Sequence, residues 1–302
     1  MLPETRKRTL RARLRKGLAW GLLAVAVLYG AAVAALYTFQ DRLIFPDRPV
    51  SDRTPLDVGI SDFASGFLSV EDHQSEFWYM EQDNARGVVL FSHGLGETMG
   101  ERLEMAKSFY DLGFSIFMYE YGGYWRSTGK PSEVRCYADV RAAWEHLTGS
   151  LGIPPERILV FGESLGTGPS VELAHTKKPG ALVLLSPYTS VTANASAQYP
   201  YFPVGLLLKH RFDNASKIAK VTSPVLILHG VEDNFVPFEQ GRALFHLANK
   251  PKEFARLPGG HGTFYDAPDD FRRAVSEFVD PLFPRVAAPA SEIRASESGA
   301  VS

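Results

Sequence analysis

The chain is long enough for one large domain with a full hydrophobic core, and its charge excludes a general nucleic-acid binder. Its 302 residues are 45% hydrophobic and carry a formal net charge of −2, far from the basic balance that binding to phosphate backbones requires. Cys136 is the only cysteine, so no intrachain disulfide can form. Its apolar helical neighbours indicate a core residue rather than a nucleophile.

The N-terminus combines a basic segment with an uncharged one. Residues 1–16 hold seven Lys or Arg, whereas residues 17–39 hold no charged residue, close to the roughly 20 residues needed to cross a bilayer. We expect a transmembrane anchor. A cleaved signal peptide is the first alternative, because Ala32-Val33-Ala34 could serve a signal peptidase, and a soluble protein with a buried N-terminal helix is the second. The positive-inside rule places residues 1–16 in the cytoplasm and the main domain on the periplasmic or extracytoplasmic side, or in the secreted fraction after signal cleavage.

From residue 87 onward, short apolar runs alternate with longer amphipathic ones. This alternation predicts an α/β fold with a mostly parallel central sheet and helices on both faces. Residues 59–82 predict an antiparallel pair of strands ahead of it, and Ser132–Leu147 predicts a helix with one apolar face. The six predicted strands of the parallel part are Gly87–Gly94, Phe114–Tyr121, Arg157–Gly162, Ala181–Pro187, Pro224–Gly230 and Glu253–Gly259.

Two segments do not follow this alternation. Residues 188–220 are rich in aromatics and proline and are too long for an ordinary connection, so we expect a small lid over the carboxyl edge of the sheet. A surface excursion without a role is the alternative. Residues 285–302 are rich in Ala, Ser and Glu without periodicity and predict a disordered tail. The folded domain is therefore expected over residues 41–283.

A glycine-flanked serine follows the third predicted strand. The G-x-S-x-G pattern of residues 162–166 comes directly after the apolar run Ile158–Phe161, and the residues beyond it can start a helix. A strand that turns this sharply into a helix needs small neighbours, and the turn lifts the serine hydroxyl clear of the sheet. The pattern alone is weak evidence, but its place at the carboxyl end of a strand indicates that Ser164 is a nucleophile.

A serine nucleophile needs a base to remove its proton, and the base needs an acid to orient it. In the order Ser, acid, His, Asp233 follows the fifth predicted strand and His261 follows the sixth. Both would reach the same edge of the sheet as Ser164, so we predict Asp233 as the orienting acid and His261 as the general base. Glu232 is the alternative acid. His229 ends the fifth strand, where we expect it to be a hydrogen-bonded support.

Acyl transfer also needs donors for the negative charge that develops on the carbonyl oxygen. One predicted donor is the backbone N–H of Leu165, which follows the serine at a helix start. The other is expected from the loop after the first strand, where Leu95 follows His93 and Gly94. A plain tight turn is the alternative interpretation of that loop. No metal and no organic cofactor is required by this chemistry.

These motifs resemble the α/β-hydrolase superfamily, and within it a membrane-anchored branch. That branch holds the depalmitoylating α/β-hydrolase-domain serine hydrolases and the bacterial serine aminopeptidase-like hydrolases. The resemblance implies the α/β-hydrolase fold, with Ser164, Asp233 and His261 as catalytic triad and Leu95 and Leu165 as oxyanion hole. The matching stretches are Leu43–Pro46, Ser92–Gly94, Tyr119–Glu133, Gly162–Ala174, Ala181–Ser190, Ser223–Asp233 and Gly259–Gly262.

The chain departs from this branch at two positions and at its N-terminus. Glu120 stands where relatives commonly have aspartate, and Trp125 stands where they have a second glycine. We expect both near the mouth of the site, where they would change the shape of substrate that the site accepts. The N-terminus has no cysteine cluster that could be palmitoylated, which weakens any transfer of protein-depalmitoylase activity.

The sequence therefore predicts a serine hydrolase that cleaves a carboxylic ester or thioester through an acyl-enzyme. Its expected partners are a small-molecule or acylated, lipid-like substrate and the membrane, with no nucleic acid. A serine peptidase or aminopeptidase is the alternative among enzymes. Among proteins without enzymatic activity, the alternative is a binding module on the same fold.

Overall fold

The computed structural model describes residues 3–46, 51–96 and 98–285, and eight strands form its central sheet. The strands are β1 (Ala64–Val70), β2 (His73–Met80), β3 (Val88–Ser92), β4 (Ser115–Tyr119), β5 (Ile158–Glu163), β6 (Ala181–Leu185), β7 (Val225–Gly230) and β8 (Lys252–Leu257). Their order across the sheet is β1-β2-β4-β3-β5-β6-β7-β8.

The sheet is mostly parallel, as predicted. Strand β1 pairs with β2, and β2 with β4, in antiparallel register, which confirms the antiparallel pair expected over residues 59–82. All pairs from β4 to β8 are parallel. Strands β3, β4, β5, β6 and β7 are short and fully buried, because helices cover both faces of a parallel sheet. Strand β8 ends the sheet and is buried only at Leu257. The carboxyl ends of β3, β5, β7 and β8 consequently meet at one edge.

Helices flank the sheet on both faces, and one further, long helix lies at the N-terminus. They are α1 (Glu4–Ile44), α2 (Leu103–Asp111), α3 (Glu133–Glu145), α4 (Thr167–Thr176), α5 (Val191–Gln198), α6 (Val204–Leu207), α7 (Ala215–Ile218), α8 (Phe238–Leu247), α9 (Thr263–Asp266) and α10 (Pro268–Val279). One apolar cluster joins α3, α4 and α8 to one face of the sheet, and a second joins α2 and α10 to the other. The predicted two-faced architecture is confirmed.

Helix α3 shows how the sequence sets one of these elements. Ser132 caps its start by accepting a hydrogen bond from the backbone N–H of Arg135 at 3.2 Å. Cys136, Val140 and Trp144, spaced by four residues, all point into the core. Cys136 is fully buried, which confirms its assignment as a core residue.

The segment over residues 188–220 contains the three short helices α5, α6 and α7. Its far end is held to α3 because the Glu133 carboxylate accepts hydrogen bonds from the backbone N–H groups of Arg211, at 2.6 Å, and Phe212, at 3.0 Å. Phe212 is fully buried and has a φ of 40°. We call this segment the lid; its role as a lid stays a prediction.

Helix α1 is long and apolar enough to cross a membrane between Arg13 and Ile44. This is compatible with the predicted membrane anchor over residues 17–39, although length and composition alone do not separate an anchor from a signal sequence. The predicted tail beyond Arg285 lies outside the described residues.

Candidate active site

Ser164 lies in a strained turn between β5 and α4. Its φ is 48°, a left-handed conformation that is uncommon for residues other than glycine and that marks a constrained site. The two flanking glycines are required by close backbone contacts. A Cβ on Gly162 would lie 2.6 Å from the carbonyl oxygen of Gly166, and one on Gly166 would lie 2.2 Å from the carbonyl oxygen of Ser92. The G-x-S-x-G pattern is therefore a packing requirement of this turn.

The structure brings the three predicted triad side chains into one hydrogen-bonded chain. Ser164 Oγ lies 2.9 Å from His261 Nε2, and His261 Nδ1 lies 2.7 Å from Asp233 Oδ2. Asp233 follows β7 and His261 follows β8, so both reach the edge at which β5 ends. A base positioned on a serine hydroxyl and oriented by a carboxylate is the arrangement that activates a serine nucleophile.

Asp233 lies in an environment that keeps it ionised. Its Oδ1 accepts hydrogen bonds from the backbone N–H groups of Phe235, at 2.9 Å, and Val236, at 2.8 Å. Burial raises the pKa of Asp233, but the hydrogen bonds from His229 and His261 outweigh this effect and hold the pKa below its usual value. The carboxylate can therefore stabilise a protonated imidazole at neutral pH.

The structure also gives positions for Glu232, the alternative acid, and for His229, the expected support. The Glu232 side chain is exposed, whereas Asp233 is buried beside the imidazole. His229 is fully buried, and its Nε2 lies 2.9 Å from the carbonyl oxygen of Val236 and 3.4 Å from Asp233 Oδ2. This confirms His229 as a hydrogen-bonded support.

The two predicted oxyanion donors, Leu95 and Leu165, lie beside the serine. Both line a cavity of about 260 Å³ together with Ser164. The loop that carries Leu95 is held close to the serine, since a Cβ on Gly94 would lie 3.6 Å from Ser164 Cβ. Tyr121 Oη donates a hydrogen bond to the carbonyl oxygen of His93 at 2.8 Å, which fixes the start of the same loop. Their role as donors stays a prediction.

The two departures from the family pattern lie away from this cavity, which corrects the expectation that they would be near its mouth. Glu120 is fully buried and accepts a hydrogen bond from the backbone N–H of Met99 at 2.7 Å. Trp125 packs edge to face on Trp78, with ring centroids 5.4 Å apart. Neither lines the cavity above Ser164.

A buried ion pair behind the serine was not predicted. Arg102 donates from Nε to the carboxylate of Glu163, the residue directly before Ser164, and both side chains are at most 10% exposed. Arg102 also lies 3.4 Å from Tyr265 Oη. Glu163 occupies a variable position of the serine motif, and its partner is 61 residues away, so no local pattern indicates the pair.

Comparison with known proteins places the chain among relatives of the same architecture. A family model described as serine aminopeptidase, S33, matches residues 83–212. An uncharacterized protein of Mycobacterium tuberculosis is 37% identical over 244 residues, which cover 78% of this chain and 85% of that protein. The chain belongs to the α/β-hydrolase superfamily.

Further relatives of this superfamily agree with the assignment. The human alpha/beta hydrolase domain-containing protein 17B is 41% identical over 183 residues, which span 59% of this chain and 61% of that protein. The esterase Pf2001 of Pyrococcus furiosus superimposes with a TM-score of 0.66 at 19% identity, over 79% of this chain and 99% of that one. An α/β-hydrolase of Vibrio vulnificus gives a TM-score of 0.65 at 20% identity, over 78% and 92%. These structural likenesses support the hydrolase fold.

Proposed function

We propose that this α/β-hydrolase is a membrane-anchored serine hydrolase that cleaves a carboxylic ester or thioester with a lipid-like acyl group. The observation that carries the proposal is the continuous contact from Asp233 through His261 to Ser164. Nucleophile, base and orienting acid stand at hydrogen-bond distance in the order that acyl transfer requires.

In the first half-reaction, Ser164 Oγ attacks the carbonyl carbon while its proton passes to His261 Nε2. The backbone N–H groups of Leu95 and Leu165 donate to the oxyanion of the tetrahedral intermediate, each contributing about 3 kcal/mol to its stabilisation. His261 then gives the proton to the departing alcohol or thiol, and the acyl group stays on Ser164. Asp233 stabilises the imidazolium throughout.

In the second half-reaction, a water molecule takes the place of the leaving group. His261 accepts a proton from the water as its oxygen attacks the acyl carbonyl. The second tetrahedral intermediate collapses, His261 returns the proton to Ser164 Oγ, and the carboxylic acid leaves. No group outside the protein and the two substrates is consumed.

The lining of the cavity favours an acyl chain over a peptide N-terminus. The described residues that line it are mostly apolar, and none of them is Asp, Glu, Lys or Arg. An aminopeptidase must bind a charged α-amino group, and a buried ammonium needs a carboxylate partner. The peptidase alternative, which the family model's description favours, therefore lacks a binding group on the described lining.

Helix α1 supplies the proposed membrane anchor. Its apolar stretch is long enough to span, and the basic residues of segment 1–16 orient the N-terminus toward the cytoplasm and the hydrolase domain to the other side. The cleaved signal peptide remains the competing processing route for the same segment.

Labelling of the full chain in detergent with a fluorophosphonate probe tests the proposal. The probe reacts with an activated serine, so we expect one labelled site, lost in Ser164→Ala and in His261→Ala. Esters of a nitrophenol should be cleaved, and aminoacyl nitroanilides should not. Absence of labelling in a folded wild-type protein, or labelling that survives in Ser164→Ala, would contradict the assignment.

A further inference from the structure

Helix α1 does more than tether the domain, because it forms one wall of the cavity above Ser164. Leu36, Gln40, Leu43 and Ile44 line the same cavity as the serine. Residues spaced by three, four and seven positions share one face of a helix. The last three turns of the apolar helix therefore present one face to the space in which the acyl group would lie.

The lid forms the facing wall and is hydrogen-bonded to α1. Gln40 is 5% exposed; its Nε2 donates to the carbonyl oxygen of Leu207 at 3.2 Å, and its Oε1 accepts from the backbone N–H of Lys209 at 2.8 Å. Farther toward the N-terminus, the ring of Tyr29 stacks on Phe202 with centroids 5.7 Å apart. Helix and lid are thus one packed unit with the cavity between them.

The packed unit of α1 and the lid has an uncharged part and a charged part. The lid has no charged residue from Val191 to Leu208, and α1 has none from Gly17 to Phe39. The first charged residues after these two uncharged stretches lie at the same level of the structure. Lys209 Nζ lies 4.8 Å from the centroid of the Tyr37 ring, and His210 Nε2 lies 3.2 Å from Asp41 Oδ1. A common boundary between charged and uncharged surface is typical of a protein at a membrane interface.

The tip of the lid, the turn of residues 199–202, lies on the uncharged side of this boundary. Tyr29 precedes Tyr37 by eight residues, so the lid residues beside it lie about 12 Å along the helix axis from the boundary. The hydrocarbon core of a bilayer is about 30 Å thick, so the hydrocarbon of one leaflet is about 15 Å thick. The distance of about 12 Å is therefore within one leaflet. Tyr201, which lies beside Tyr29, is 85% exposed, which is costly in water but favourable in lipid.

The lid backbone also has partners of the kind that hydrocarbon requires. Irregular backbone is tolerated at membrane depth only where its polar groups are satisfied by protein. Tyr29 Oη donates a hydrogen bond to the carbonyl oxygen of Tyr201 at 2.9 Å. An apolar helix thus supplies a donor to a loop that would otherwise expose a carbonyl to lipid.

We propose that the lid tip is immersed in the leaflet next to α1 and that the acyl chain of a membrane-resident ester or thioester enters the cavity from the bilayer, between α1 and the lid. The inference rests on the proposed function and adds the source and path of the substrate. Its acyl chain lies against Leu36 and Leu43, its carbonyl reaches Ser164 near the boundary, and its polar leaving group departs into water.

The first test places a larger side chain in the proposed path of the acyl chain. It uses the full chain reconstituted in vesicles. In Leu36→Trp, the ratio of kcat/KM for a long-chain nitrophenyl ester to kcat/KM for the acetyl ester should fall about tenfold or more, as expected for a blocked apolar pocket. Leu28→Trp is the matched control: Leu28 is exposed on α1 and does not line the cavity, so the ratio should match that of the wild type. An unchanged ratio in Leu36→Trp, with fluorophosphonate labelling of Ser164 intact, overturns the proposal.

A second test measures immersion without any activity. Cys136 is buried, so a cysteine in Tyr201→Cys can carry an environment-sensitive dye by itself. We expect the dye's emission to be quenched by lipids that carry a spin label on the acyl chain. The control Leu151→Cys should show no quenching, because residue 151 precedes β5 and so lies at the amino ends of the strands, opposite the site. Unquenched emission at residue 201 overturns the proposal, including blue-shifted emission from contact with a second copy. Quenching at residue 201 in a protein that the fluorophosphonate does not label would separate failure of the proposed function from failure of this inference.

Discussion

Replacement of Asp233 by asparagine should change the tautomer of His261 while leaving the surrounding turn in place. Asp233 Oδ1 accepts two backbone hydrogen bonds, from Phe235 and Val236, and only an oxygen can accept them. An asparagine must therefore keep its oxygen at this position and turn its NH₂ group toward His261 Nδ1. Because that group is a donor, Nδ1 must become the unprotonated nitrogen, and the proton moves to Nε2.

The consequence for catalysis is large because Nε2 faces Ser164 Oγ at 2.9 Å. A protonated Nε2 cannot accept the serine proton, so the base is lost although every heavy atom keeps its place. We expect kcat for a nitrophenyl ester to fall about 10⁴-fold, which corresponds to about 5.5 kcal/mol in activation free energy. The ground-state contacts of the substrate are unchanged, so KM should change little.

Steady-state kinetics of Asp233→Asn beside Glu232→Gln provide the assay. Glu232→Gln should behave as the wild type, since the Glu232 side chain is exposed. Loss of activity in Glu232→Gln, or retention of kcat within about tenfold in Asp233→Asn, would refute the tautomer argument and the choice of Asp233 as orienting acid.

The same variant should alter the acid limb of the stability curve. The folded-state pKa of Asp233 lies below its usual value, so its contribution to the free energy of unfolding is complete above about pH 4 and is lost as the pH falls through the folded-state pKa. Asp233→Asn lacks that contribution. Urea denaturation of both proteins from pH 7 downward checks the difference.

Two further substitutions, each with a matched variant for comparison, test the packing around the serine. Gly166→Ala places a methyl group against the carbonyl oxygen of Ser92 and should cost about 3 kcal/mol of the free energy of unfolding or prevent folding. Gly149→Ala meets nothing within 4 Å and should stay within about 1 kcal/mol of the wild type in urea denaturation. Arg102→Met leaves Glu163 buried without its partner and should cost about 3 to 5 kcal/mol, whereas adding Glu163→Gln should restore most of the loss. Equal unfolding free energies for the single and double variants would contradict this account.

The sequence alone determined the order of the elements and the edge of the sheet at which Ser164, Asp233 and His261 meet. Buried parallel strands are short apolar runs between amphipathic helices, so their places and the edge where they end can be predicted from the pattern. The turn at Ser164 has a local signature, because Gly162 and Gly166 are required by contacts within a few residues or with the neighbouring strand. Asp233 and His261 could be predicted because each directly follows a strand of the same sheet.

Only the tertiary structure decided what lies beside these positions. An apolar helix has the same sequence whether it faces lipid or protein, so nothing in α1 indicated that Leu36 and Gln40 would form a wall of the cavity. The pairing of Arg102 with Glu163 depends on how α2 meets the end of β5. The burial of Glu120 comes with a hydrogen bond from Met99, 21 residues away. Such contacts arise from the packing of distant surfaces, which leaves no periodic or local mark in a single sequence.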